Sequence, residues 1–345
     1  MLPPKILDSF AGQERACISL GSPFTARLCR VLPSLLDPST ATGRRIADWS
    51  GDPAADALAL RLCGALHALV LAGTDKELEA VYPPHASDDG AFRREVSAAL
   101  ERNDTALAGW LDQPPQTNET ARAGMILPGL LLIARETGLP LDVNEIGTSA
   151  GLNLHFDRFH YDYAGQTWGD PASPARLSPE VRGAPPPLDG ELRITARAGN
   201  DIVPIDIGDP AQRLRLRSYI WADQTARLER LDAAMSLALR QPPALDRGDA
   251  ADFARQRLAA RVPGSAFILF HTIMWQYMPE ASRQGVAAAL ARAGATAGSP
   301  VAHLRMEPVR QKAPYATLSL TMWPGGGTRE LARCDYHGRW IEWTG

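Results

Sequence analysis

One short stretch limits what this chain can fold into: Leu141-Asp142-Val143-Asn144-Glu145-Ile146, then Gly147-Thr148-Ser149-Ala150-Gly151, then Leu152-Asn153-Leu154. It reads as a strand, a turn of small residues and the start of a helix. The acid Glu145 stands two places ahead of the first glycine. Gly147, Ser149 and Gly151 present little or no side chain, so a ligand can approach the backbone closely. The N–H groups opening the next helix would point into the same space. The stretch also spells Gly-x-Ser-x-Gly, the pattern of a hydrolase nucleophile elbow. Two chemistries therefore compete for the same residues.

The surrounding pattern divides the chain in two. Residues 1–116 read as helical throughout, with Ser22 capping a helix that has Pro23 in its first turn. Helical spacing recurs over 56–71 and 92–111, and no strand is evident before Leu141. This half is expected to be a helical cap. From 117 to 345, strands alternate with helices as a parallel, doubly wound α/β sheet requires. Strands are predicted at 142–146, 192–196, 244–245, 267–271 and 301–306. Helices are predicted at 151–159, 219–239, 250–262 and 280–293, and the Pro- and Gly-rich residues 161–190 read as an insertion. Residues 315–322 and 331–336 flank Pro324-Gly325-Gly326-Gly327 as an antiparallel hairpin.

Composition narrows the function classes. A net charge of −3 gives no electrostatic pull toward nucleic acid or a membrane surface. Cys17, Cys29, Cys63 and Cys334 form no CxxC and no metal-ligand spacing, so buried small hydrophobes are expected and no metal. No run approaches the length of a membrane span, and no basic segment followed by an apolar core opens the chain. The expectation is a cytoplasmic protein acting on a small molecule.

Five parallel strands closed by a C-terminal antiparallel pair resemble the class I S-adenosylmethionine-dependent methyltransferase fold over 117–345. The resemblance implies that Glu145, Gly147, Ser149 and Gly151 hold the amino-acid part of that cofactor, with Ser149 standing where the family has a glycine. It implies an acid after the second strand for the ribose, Asp201 or else Asp206, and Asp249 near the adenine. The phrases Thr117-Asn118-Glu119, Glu145-Ile146-Gly147-Thr148-Ser149-Ala150-Gly151-Leu152-Asn153-Leu154, Phe270-His271-Thr272 and Trp275-x-Tyr277 also resemble an uncharacterised bacterial family, a domain of unknown function. That likeness runs nearly end to end and implies a layout without an activity.

Ligands of open parallel sheets bind beyond the carboxyl ends of the strands. His271, Trp275 and Tyr277 follow the fourth strand, so His271 is a candidate general base and the two aromatics candidates for stacking or cation–π contact. The alternative is that His271 ties two loops together. Arg122 is placed to pair with a cofactor carboxylate, or else to sit solvated at a helix start. Asn153 lies on the helix after the glycine turn, within reach of loop or ligand.

As a hydrolase, the chain would use Ser149 as nucleophile, Asp249 as acid and His303 or His337 as base. An acid just before the turn opposes the oxyanion of acyl transfer, and the preceding strands that normally supply an oxyanion loop are missing. Gly147-x-x-x-Gly151 is not the dinucleotide spacing G-x-G-x-x-G. A nucleotide-pocket protein without catalysis is the third reading.

Overall fold

The computed structural model describes residues 2–296, 298–310 and 313–345. They form two compact units, Met1–Thr117 with Gly208–Glu229, and Asn118–Ile207 with Arg230–Gly345.

The first unit is helical: α1 Pro4–Ser19, α2 Pro23–Leu35, α3 Ala41–Ala47, α4 Leu58–Leu71, α5 Lys76–Glu79, α6 Asp89–Arg102 and α7 Asp104–Trp110. Its α4 is apolar nearly all round and therefore central, with Leu58, Leu62 and Leu66 fully buried. Residues 208–229, which sequence spacing assigns to the α/β domain, belong to this unit instead. Gly64 supplies the reason. A Cβ there would lie 2.6 Å from the Tyr219 ring, so the missing side chain is the socket for that tyrosine. The helix expected at 219–239 starts later, at Thr225, and a separate helix, α9 Pro210–Ser218, precedes it. Ser22 does not cap α2 through its own side chain. Asp223 does so from a distance, accepting hydrogen bonds from Ser22 Oγ and from Phe24 N, the latter at 2.8 Å. All four cysteines are free and buried.

The second unit opens with a 3-10 turn, Thr120–Arg122, and α8 Ala123–Thr137, followed by the strand β1 Leu141–Ile146. A small sheet, β2 His160–Tyr163, β3 Gln166–Trp168 and β4 Arg176–Leu177, fills the predicted insertion, and β5 Glu180–Arg182 follows it. Then come β6 Ile194–Asp201, α10 Thr225–Arg240 (shared with the first unit), β7 Ala244–Arg247, α11 Ala250–Ala259, β8 Ala266–Thr272, α12 Glu280–Ala295 and β9 Val301–Glu307. The chain ends with β10 Ala316–Trp323, β11 Gly327–Cys334 and β12 Trp340–Trp343.

Nine strands form one mostly parallel sheet in the order β5-β12-β11-β10-β9-β8-β1-β6-β7. The five strands β7, β6, β1, β8 and β9 are mutually parallel, a Rossmann-like arrangement. β10 pairs antiparallel with β9, and the predicted hairpin β10–β11 extends into β12 as a meander. Helix α8 covers one face, where Gly129 leaves room for Leu304. Helices α11 and α12 cover the other, over Ile146, Phe267, Leu269 and Val301. β1 lies buried on both faces, as a central parallel strand must, and its two polar residues on the α11 side are paired. Arg257 donates to Asn144 Oδ1 at 2.8 Å and to Asp142 Oδ1 at 3.4 Å.

Two further predicted elements differ. The second strand lies at Ile194–Asp201, not 192–196, which makes Asp201 its last residue. The helix expected at 151–159 is a 3-10 segment, Leu152–Arg158, kinked at His155.

Candidate functional site

From the middle of the sheet, the chain leaves β1 toward β6 on one side and leaves β8 toward β9 on the other. The loops after β1 and β8 therefore diverge, and open α/β sheets bind ligands in such a crevice. Gly147–Gly151 and Ile273–Tyr277 are those two loops.

The first loop packs three left-handed residues into five: Gly147 at φ +66°, Ser149 at +55° and Gly151 at +72°. For serine this conformation is strained and has to be held from outside. It is held by hydrogen bonds. Asp201 Oδ2 accepts Ser149 N–H at 2.8 Å, and Asn118 Oδ1 accepts Leu152 N–H at 3.0 Å. Thr148 N–H reaches Asn200 O at 3.0 Å, and Gly151 N–H reaches Thr148 O at 2.9 Å. The expectation that N–H groups of a new helix face a ligand is therefore corrected: the segment is 3-10, and the N–H groups of Leu152 and Leu154 are taken by Asn118 Oδ1 and Gly151 O. The role of Gly151 also changes. Its absent side chain makes room for Pro243 and Leu245 of its own fold, at 2.8 and 2.9 Å from a would-be Cβ.

Beneath the loop, Glu145 is almost completely buried and accepts from Thr148 Oγ1 at 2.5 Å. Burial pushes its carboxyl up from the ordinary 4.5 to about 8, and the neighbouring Asp201 charge adds to the rise. The Thr148 hydroxyl, the positive charge of Arg122 and a hydrogen bond from Asn153 oppose it. Two buried polar atoms of the same segment have no hydrogen-bond partner among the described residues, Ser149 Oγ and Asn153 Oδ1. Arg122 donates to Tyr336 O at 2.9 Å and to Thr272 O at 3.3 Å, which fixes it across the end of β8.

The second loop leaves β8 through Ile273 at φ +52°, an outlier for a β-branched residue. Its Met274 side chain lies over Gly147, whose Cβ position would be 2.7 Å from Met274 Cγ. Glu307, at the end of β9, anchors the loop. Its Oε1 accepts from His271 Nδ1 at 2.7 Å, Met274 N at 3.0 Å and Trp275 N at 3.2 Å. The Nε2 atoms of His271 and His303 are 3.1 Å apart, and Trp275 stacks on His271 with centroids 4.8 Å apart. Burial holds His303 well below the ordinary imidazole range, with the His271 and Arg305 charges adding to that, so it is neutral. His271 thus has its Nδ1 engaged by Glu307 and its Nε2 by His303. Glu307 Oε2 is buried with no partner among the described residues.

The structure separates residues that the sequence placed together. The register pairs Glu145 with Phe270, so alternation puts His271 on the opposite face of the sheet. His271 is fully buried with both ring nitrogens engaged, which leaves no lone pair for a general base. Trp275 is half-buried against it, and Tyr277 is 76% exposed. Of the two acids considered for a ribose, Asp201 reaches the loop, but Ser149 N and Val203 N occupy its oxygens; Asp206 is exposed. Asp249 caps α11 by accepting Ala251 N at 2.8 Å, and it also accepts the Ser282 hydroxyl. The sequence reading missed Thr148, Ile273, Met274 and the anchoring role of Glu307. Only the last had a visible signal: His303, Arg305 and Glu307 alternate on one face of a central strand.

Among the described residues no histidine bonds to Ser149 Oγ, and His303 is already committed to His271. Ester hydrolysis by Ser149→Ala is accordingly expected to equal that of the parent. A loss of p-nitrophenyl acetate turnover in that variant would reinstate the nucleophile. Among the described residues no group of three His, Cys, Asp or Glu side chains is arranged for a metal, and no helix is long and apolar enough to cross a membrane.

A family model described as an uncharacterized protein conserved in bacteria (DUF2332) matches residues 8–343. No curated protein and no solved structure matches the chain.

Proposed function

The chain belongs to the bacterial family DUF2332, and because that membership brings a layout without a chemistry, we propose a function from the site itself: binding of S-adenosylmethionine and transfer of its methyl group to a small molecule. One observation carries the reading. At the point where the strand order reverses, the single segment 145–153 carries a buried acid, a turn of small residues and two buried polar atoms without a partner among the described residues, Ser149 Oγ and Asn153 Oδ1. An isolated buried polar atom costs about 1–3 kcal/mol, which a ligand donor or acceptor would recover. The amino-acid part of the cofactor carries an ammonium and a carboxylate. Glu145 and Asn153 suit the first, and Arg122 the second.

The cofactor supplies an activated methyl group. Its transfer asks for in-line positioning and exclusion of water more than for acid–base help. That suits a site where both ring nitrogens of His271 are already engaged. His271 acts here as a positioning residue, since through Glu307 it holds Met274 and Trp275 against the glycine loop.

Calorimetric titration with S-adenosylhomocysteine tests the reading. One-to-one binding is expected, with a raised melting temperature in its presence. A folded protein that takes up no S-adenosylhomocysteine and shows no shift in melting would overturn it.

A further inference from the structure

The helical unit has a cavity of its own beside the contact between Gly64 and Tyr219. Residues of α2 and α4, Tyr82 and the segment after α9 bound it, all of them within that one unit. Five rings line it: Phe24, His67, Tyr82, Tyr219 and Trp221. About 50 Å³ of it is free to the centre of a water-sized sphere, against roughly 10–15 Å³ for a single water. That is the room of one small ring. Protein interiors keep few voids larger than a water molecule, so a void of this size among core residues calls for an occupant.

The polar groups around the cavity are unequal. His67 Nδ1 lies 3.1 Å from Ser218 O, and the Tyr219 hydroxyl accepts from Trp110 Nε1 at 3.2 Å. Tyr82 is 1% exposed, and its hydroxyl has no hydrogen-bond partner among the described residues. Its ring is held by an edge contact with Phe24, centroids 4.6 Å apart, and by a looser stack on His67 at 6.1 Å. Burial pushes the phenol well above its ordinary range, with the Cys63 and Cys29 thiols adding to the rise. The hydroxyl therefore keeps its proton and can both donate and accept. Cys63 also lines the cavity, which places this hydroxyl on the cavity wall. Leaving it unpaired costs the fold stability that a bound polar group would restore.

We infer that this cavity binds a small single-ring aromatic molecule whose one polar group bonds the Tyr82 hydroxyl. Walls made of rings favour a ring, through the edge-on and offset contacts that aromatic pairs prefer. The bonds already made by His67 and Tyr219 leave Tyr82 as the polar handle. The inference is independent of the cofactor reading.

Phenol, toluene and cyclohexanol, titrated separately into the full chain, test it. Phenol should bind saturably at one site. Toluene lacks the polar group and cyclohexanol the aromatic ring, and each should bind about tenfold more weakly. Tyr82→Phe keeps the ring and removes the unpaired hydroxyl, so phenol should lose its advantage over toluene. Without ligand, that variant should melt as high as the parent or roughly 2–4 °C higher. Ala222→Leu enlarges a half-buried residue of the cavity wall and should abolish phenol binding. Saturation by none of the three probes overturns the inference. So does an advantage of phenol that survives in folded Tyr82→Phe, or phenol binding that is unchanged in folded Ala222→Leu. A Tyr82→Phe protein that melts well below the parent would show that the hydroxyl is already bonded, which also overturns it.

Discussion

Gly151→Val is expected to destabilise the protein by roughly 3–5 kcal/mol, enough to unfold much of it near body temperature. Two costs add. At φ +72° a β-branched residue carries backbone strain of about 1–3 kcal/mol. The new Cβ also falls 2.8 Å from Pro243 Cγ and 2.9 Å from Leu245 Cδ2, so the strand β7 region has to move, at a further ~1–3 kcal/mol of overpacking. Gly138→Ala separates the two. That glycine has φ +64° with nothing within 4 Å of a Cβ, so its variant should lose only about 1 kcal/mol. Urea unfolding of the three proteins measures both differences. The sequence reading makes Gly151 a ligand-approach residue, whose valine variant keeps its fold and loses only binding. A Gly151→Val protein that unfolds like the parent would restore that reading and remove the packing account.

The contrast shows what the sequence could convey. β1 was legible because Leu141, Val143 and Ile146 mark a short apolar strand and the small-residue turn after it marks its exit. The segment after the turn was not. Leu152–Arg158 has helical spacing, yet Asn118, distant in sequence, takes the Leu152 N–H and the chain tightens into a 3-10 form. β6 was placed too early because Ala196-Arg197-Ala198-Gly199-Asn200 has little strand propensity, and its extension comes from pairing with β1 on one side and β7 on the other. Residues 208–229 went to the wrong unit because the socket that receives Tyr219 is a glycine far earlier in the chain. The site shows the same limit. Glu145 and the small-residue turn stood out in the sequence, whereas the face of His271 depends on a strand register that no sequence pattern states.

Glu145→Gln should remove the pH dependence that this one buried acid imposes. Its carboxyl titrates at about 8 in the folded protein against an ordinary 4.5, and burial is the chief cause. An acid whose folded pKa is raised binds its proton more tightly when folded. Its contribution to stability is therefore complete below 4.5 and is lost as the pH climbs through 8. At about 1.4 kcal/mol per unit, the loss approaches ~5 kcal/mol at alkaline pH. Glutamine keeps an acceptor for the Thr148 hydroxyl and has no proton to lose. Thermal melts from pH ~5 to ~9 should thus show the parent declining relative to the variant, with the gap opening between ~5 and ~8.

Ligand binding should run the opposite way. The ammonium of S-adenosylhomocysteine favours ionised Glu145, so binding expels a proton wherever the free protein still holds one. Parent affinity should rise up to tenfold per pH unit from about 6 to 8, and the variant's should be both weaker and flat over that range. Calorimetry in two buffers of different ionisation enthalpy counts the released protons directly. Affinity that is independent of pH in the parent, with no proton released, would show that Glu145 does not face the ligand. The acid would then belong to the scaffold of the loop through Thr148, and the remaining unpartnered atoms, Ser149 Oγ and Asn153 Oδ1, would need a neutral donor and acceptor to satisfy them.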